Sequence, residues 1–130
     1  MTRYLLDTTA LIDFSKGREP ARSWILESIA AGEELGVCPI NVAEFYSGVP
    51  TEVRVPEWDE FMDSLAYWQI SREAARQAGR YRYEFARKGV ALATADVLVA
   101  AVAVDRAAVL VTNNVRHYPM DDIHLLPLTV

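Results

Sequence analysis

The chain alternates apolar runs of strand length with much longer stretches of helical spacing, and that alternation decides its class. Tyr4-Leu5-Leu6, Leu35 to Cys38 and Val109-Leu110-Val111 are too short for helices, and residues 123–126 supply a further run. Between them, residues 8–14, 20–31, 41–46, 56–65, 72–88 and 94–107 read as helices. The punctuation agrees. Gly32, Gly48 and Gly89 close helices, Asn41 and Ser71 stand as N-caps, and Pro39 breaks the chain after the second strand. Residues 67–70 read as a short extended piece. Strands separated by helices form right-handed crossovers and a parallel sheet that must be covered on both faces. The expected class is therefore α/β with a mostly parallel central sheet, in a single domain over residues 1–130.

Composition narrows the function. A hydrophobic share of 52% builds a core without staples, and a net charge of −5 argues against gripping nucleic acid by bulk positive charge. Cys38 is the sole cysteine, which excludes an intrachain disulfide and a thiolate zinc site. Asp7 interrupts the first apolar run too early for a signal peptide. The longest purely apolar run, residues 97–104, is far short of the roughly 20 residues a spanning helix needs. A soluble, cytoplasmic protein with no membrane partner is expected.

Three acids occupy equivalent places in the alternation. Asp7 directly follows the first strand, Glu44 lies in the first turn of the helix after the second, and Asp96 lies in the first turn of the most apolar helix. In an open parallel sheet those positions share one edge, the edge where ligands bind. Each acid alone has a plainer reading as a cap or macrodipole partner, worth about 0.3–1 kcal/mol. Their surroundings favour more. Asp7 follows three apolar residues, Asp96 precedes eight, Glu44 leads into Phe45 and Tyr46, and no Lys or Arg adjoins any of them. Charges set in apolar sequence need compensation, and Mg²⁺, which takes carboxylate oxygens and waters, supplies it. Asp13 has the wrong helical spacing to join them and reads as solvated or capping.

The segment from Thr112 to Tyr118 follows a strand on the same edge, so its polar residues can orient a water or a metal ligand. Asn113 and Asn114 also suit turn chemistry, and His117 reads as a ligand, an acid–base group or a surface residue. Arg72, Arg76, Arg80 and Arg87 fall within about 80° of one another at 100° per residue. That stripe is either a solvated face or a track for phosphate or a partner.

Four segments, in order, resemble the motifs of PIN domains, closest to the VapC-type toxin branch of type II toxin–antitoxin systems. They are Asp7-Thr8-Thr9-Ala10-Leu11-Ile12-Asp13, Asn41-Val42-Ala43-Glu44, Ala95-Asp96-Val97-Leu98-Val99-Ala100-Ala101 and Thr112-Asn113-Asn114-Val115-Arg116-His117-Tyr118. The resemblance covers nearly the whole chain. It implies a three-layer α/β/α sandwich and an Mg²⁺- or Mn²⁺-dependent endoribonuclease that hydrolyses RNA phosphodiester bonds. It also implies a homodimer neutralised by a cognate antitoxin. The aromatic-rich residues 56–68 offer surface for such a dimer. The metal-site acids carry over onto Asp7, Glu44 and Asp96. Asp7 and Asp96 would be direct ligands, and Glu44 a ligand or the group that orients the attacking water. Thr112 and Asn114 would supply hydrogen bonds behind them. Relatives often carry an acid where this chain has His117, and some use the position of Asn114, so the fourth carboxylate is missing or replaced. A PIN domain that binds RNA or an antitoxin without cleaving is the alternative. An aspartyl-phosphate phosphatase is disfavoured, because position 9 is Thr where that chemistry needs a second Asp.

Overall fold

The computed structural model describes residues 2–50 and 52–128. In chain order the elements are β1 (Arg3–Leu6), α1 (Thr8–Ser15), α2 (Ala21–Ala30), β2 (Glu34–Val37), α3 (Pro39–Ser47), α4 (Val55–Asp63), β3 (Ala66–Tyr67), α5 (Arg72–Arg87), α6 (Thr94–Asp105), β4 (Val109–Val111) and β5 (Leu125–Leu126). Short 3₁₀ turns lie at Glu52–Arg54 and Val115–His117. The strands form one sheet in the order β3-β2-β1-β4-β5, and every neighbouring pair is parallel.

The strands bury both faces with a period of two. Leu5 and Leu110 face α5 and α6, whereas Leu6, Val111, Leu35 and Val37 face the layer of α1 to α4. The result is the α/β/α sandwich. α6 is apolar around its circumference, with Val97 and residues 99–103 all buried, because the sheet covers one side and α5 the other. α5 is amphipathic, with Ala74, Ala78 and Tyr81 inward. Ser71 caps it by accepting the Ala74 N–H at 3.0 Å, and Gly89 ends it at φ +82°. The two helices run antiparallel, since Ser71 at the start of α5 donates to Asp105 at the end of α6, at 3.1 Å.

One reading needs correction. Pro39 starts α3 rather than separating it from the strand. Cys38 is the N-cap and Pro39 takes the first helical position, where a missing N–H costs nothing. Asn41 therefore lies inside the helix, and its Oδ1 accepts from the Cys38 N–H and the Cys38 thiol, at 3.4 and 3.1 Å. The aromatics of residues 56–68 pack in part against the chain's own core, with Trp58 and Phe61 partly buried. Phe61 stacks on Phe14 at 4.4 Å, Trp58 sets its edge to Phe45 at 5.8 Å, and Trp68 is buried. Tyr67 stays half exposed.

Trp68 explains a glycine. Gly36 lies between two side chains that face α1 to α4, so it points to the other face, where the Trp68 indole lies across it. A Cβ added at Gly36 would stand 2.5 Å from that ring. Gly36→Ala is expected to destabilise the chain by about 1–3 kcal/mol through overpacking. A urea unfolding midpoint unchanged by the substitution would contradict this packing. Among the described residues, no helix is long and apolar enough to cross a membrane.

Candidate functional site

The strand order reverses direction at β1, with β2 and β3 on one side and β4 and β5 on the other. Such a switch point opens a crevice beyond the carboxyl ends of the strands. Asp7 is the first residue after β1, and Thr112 the first after β4. The Asp7 N–H donates to the Val111 carbonyl at 3.0 Å, so the register of two central strands sets these side chains together.

Asp7 is buried, 5% exposed, and its carboxylate accepts from four neutral donors. On Oδ1 they are the Thr8 N–H at 2.9 Å and Asn41 Nδ2 at 3.3 Å. On Oδ2 they are Thr112 Oγ1 at 2.7 Å and Tyr118 Oη at 3.1 Å. Thr112 in turn accepts the Asn114 N–H at 3.0 Å. Burial, and after it the charge of Asp7, pushes the Tyr118 phenol far above its ordinary pKa, which keeps it a donor.

Glu44 lies in the second turn of α3, not the first, because the helix begins at Pro39. Its Oε1 accepts from Thr8 Oγ1 at 2.7 Å, which ties α3 to the start of α1. Asp96 lies in the first turn of α6, as expected. Its carboxyl pKa is raised, first by burial, with Asp7 and Glu44 adding repulsion and His117 pulling the other way. His117 Nδ1 stands 3.4 Å from Asp96 Oδ2, so this imidazole faces the acids even though half its surface meets solvent.

One cleft of about 330 Å³ is lined by Asp7, Thr8, Thr9, Glu44, Ser47, Asp96, Asn114 and His117. No Lys or Arg lines it, and among the described residues none pairs with its acids. The Thr9 hydroxyl is buried there with no hydrogen-bond partner. A more apolar groove between α1, α3 and α4, lined by Ile12, Phe45 and Trp58, gathers no comparable set of acids.

The donor set is oxygen-rich, anionic and uncompensated, which fits a hard divalent cation. Among the described residues no three of His, Cys, Asp and Glu form a ready-made cage. Mg²⁺ does not require one, since it keeps several waters and takes one or two carboxylates. Cys38 is unsuited as a ligand, because burial raises its thiol pKa and its Sγ is engaged with Asn41.

The structure thus gathers Asp7, Glu44, Asp96, Thr112, Asn114 and His117 around one edge. It places Arg72, Arg76, Arg80 and Arg87 elsewhere, on the solvent face of α5. Asn113 faces away from the cleft, its amide paired with the N–H and carbonyl of Leu128 at 2.7 and 3.2 Å. Asp13 pairs with Arg18 at 3.2 Å. Three contributors were not read as site residues: Asn41 as a donor to Asp7, Tyr118 as another, and Thr8 as the tether of Glu44. A buried Asn three residues before Glu44 was the available signal for the first.

Comparison with known proteins agrees with this arrangement. The PIN domain family model matches residues 4–123. Ribonuclease VapC19 of Mycobacterium tuberculosis (strain H37Rv) is 32% identical over 118 residues, covering 89% of this chain and 92% of that protein. Ribonuclease VapC2 of Rickettsia felis is 28% identical over 120 residues, covering 88% and 89%. Among solved structures, VapBC2 from Rickettsia felis, bound to a DNA fragment from its promoter, matches with a TM-score of 0.83 at 23% identity, over 97% of this chain and 98% of that one. DNA-bound VapBC from Salmonella typhimurium matches with a TM-score of 0.83 at 24% identity, over 99% and 100%. At those identities the structures speak for the fold, while the family model and the sequence relatives speak for descent. With residues 4–123 matched by the family model and a relative 32% identical over 89% of its length, the chain belongs to the PIN domain family, among relatives of the VapC type.

Proposed function

We propose that the chain is a divalent-metal-dependent endoribonuclease, the toxin of a toxin–antitoxin pair, held inactive by a cognate antitoxin. The observation that carries the reading is the cleft itself, where acids from three separate elements converge and no Lys or Arg answers them. The names of the sequence relatives, ribonucleases of the VapC type, support the activity. The structural neighbours are VapBC complexes, which supports the antitoxin as partner.

In this reading Asp7 and Asp96 would hold Mg²⁺ or Mn²⁺, with Glu44 as a further ligand or as the group that would orient the attacking water. The ion supplies neutralisation of the phosphate, a more acidic water and stabilisation of the leaving oxygen. The rest is work for the chain's own residues. Thr112, Tyr118, Asn41 and the Thr8 N–H fix both oxygens of Asp7, so its geometry is set before substrate arrives. Thr8 Oγ1 holds Glu44 toward the cleft, and His117 orients Asp96. The homodimer belongs to the same reading.

The test is a metal titration of RNA cleavage by the purified chain freed of antitoxin. Cleavage should need a divalent ion and should favour Mn²⁺, which accepts an imidazole neighbour more readily than Mg²⁺ does. His117→Asp restores a carboxylate beside Asp96 and should lower the Mg²⁺ needed for half-maximal cleavage by roughly tenfold. RNA left intact by the parent chain in both metals would refute the nuclease and favour a PIN domain that only binds.

A further inference from the structure

A strong asymmetry of charge lies outside the cleft, on α5. Between Arg72 and Lys88 the chain carries six cations and two carboxylates, a net of +4 on a chain whose total is −5. Arg72, Arg76, Arg80, Tyr83 and Arg87 follow one another at helical spacing, and all are exposed. Helix stability does not account for them. The macrodipole favours cations at a helix C-terminus, where Arg87 and Lys88 sit, and disfavours them at the N-terminus, where Arg72 is the first residue. Ion pairing absorbs little. Arg80 meets Glu84 at 3.7 Å with both side chains more than half exposed, a contact of small value.

The strip also has an aromatic centre. The guanidinium groups of Arg80 and Arg87 stand 5.2 and 5.7 Å from the centroid of the Tyr83 ring, and Arg87 donates to Tyr83 Oη at 3.1 Å. Tyr83 is 52% exposed. Cations for phosphates, interleaved with flat π surfaces for unstacked bases, are the requirements of single-stranded nucleic acid. An acidic peptide would use the charges and leave the ring without a role. The end of the strip is joined to the helix that carries Asp96. Arg82 donates to the Leu92 carbonyl at 3.0 Å and to Thr94 Oγ1 at 2.9 Å, which pins the end of α5 to the start of α6, where Asp96 lies.

We propose that the solvent face of α5, centred on Tyr83 between Arg80 and Arg87, is a binding track for single-stranded RNA outside the acidic cleft. The inference rests on the ribonuclease reading and adds where the strand is held. It places affinity for a polyanion on one helix of an acidic chain, away from the acids that do the chemistry.

The test uses the full chain in EDTA, so that nothing is cut, with a labelled single-stranded uridine oligonucleotide and fluorescence anisotropy over a salt series. Tyr83→Ala should weaken binding by roughly 5- to 100-fold, the range of one lost base stack. Arg80→Gln with Arg87→Gln should flatten the slope of log affinity against log salt by about 1.4, two phosphate contacts. Duplex RNA of the same length should be little affected by Tyr83→Ala. With metal restored, the variants should raise KM for RNA more than they lower kcat. A parent chain that fails to bind the oligonucleotide overturns the proposal. So do variants that bind like the parent, or variants weakened only toward the antitoxin. A parent that binds RNA but cuts none in Mg²⁺ or Mn²⁺ would sink the nuclease and leave the track standing. A parent that cuts RNA, with variants indistinguishable from it, would sink the track alone.

Discussion

Asp96→Asn is expected to abolish RNA cleavage while leaving the chain at least as stable as the parent. The activity loss follows from the ligand role. Several kcal/mol of transition-state stabilisation, at about 1.4 kcal/mol per tenfold, corresponds to a loss on the order of 10³-fold. The stability gain follows from electrostatics. Burial and the nearby charges of Asp7 and Glu44 raise the Asp96 pKa above its ordinary 3.8, so the fold prefers this carboxyl protonated. The folded state then binds more protons than the unfolded one between 3.8 and the raised value, and this group's contribution to stability falls as pH rises through that window. An amide of the same shape removes the charge and the pH dependence together. Asp7→Asn should be equally inactive but less stable. Its carboxylate accepts from donors on both oxygens, and an amide nitrogen can accept from none of them. Thermal unfolding of the two variants across acid pH, beside their cleavage rates, separates these cases. An Asp96→Asn protein markedly less stable than Asp7→Asn would overturn the assignment of strain to Asp96.

Thr112→Val should cost about 1–3 kcal/mol of stability, because it removes a 2.7 Å hydrogen bond to a buried carboxylate and leaves the Asn114 N–H without its acceptor. Shape is conserved, so packing contributes little to the loss. In the nuclease reading the same substitution loosens Asp7 and should raise the metal concentration for half-maximal cleavage by about 10- to 100-fold. Thr112→Ser keeps the hydroxyl and should restore most of both. A Val variant whose metal titration matches the parent's, despite lowered stability, would mark Thr112 as structural only.

These residues also mark where sequence reading works. Asp7 and Asp96 were legible because their signals are local, the end of an apolar run and the first turn of an apolar helix. The face shared by Arg72, Arg76, Arg80 and Arg87 was legible for the same reason, since helical period is a property of neighbours. Glu44 was placed on the right edge but one turn early. Pro39 reads equally as a breaker and as a first helical residue, and only the chain's path decides. Asn41 and Tyr118 were opaque as partners of Asp7. Their hydrogen bonds span 34 and 111 residues and exist only once β1, β4 and α3 are in register. The two-residue strands β3 and β5 carry too few side chains to show a period, so the first read as an extended piece and the second was drawn two residues too long.

The bond from Tyr118 to Asp7 has a consequence for the order in which the protein comes into being. Synthesis runs from the N-terminus, so all three acids are made before either hydroxyl that holds Oδ2 of Asp7. A growing chain that stops short of Val109 also lacks β4, the central neighbour of β1. It has all three acids of the cleft, but of the four donors that aim Asp7 it has only the Thr8 N–H and Asn41. The cleft is therefore finished only once Tyr118 has been made.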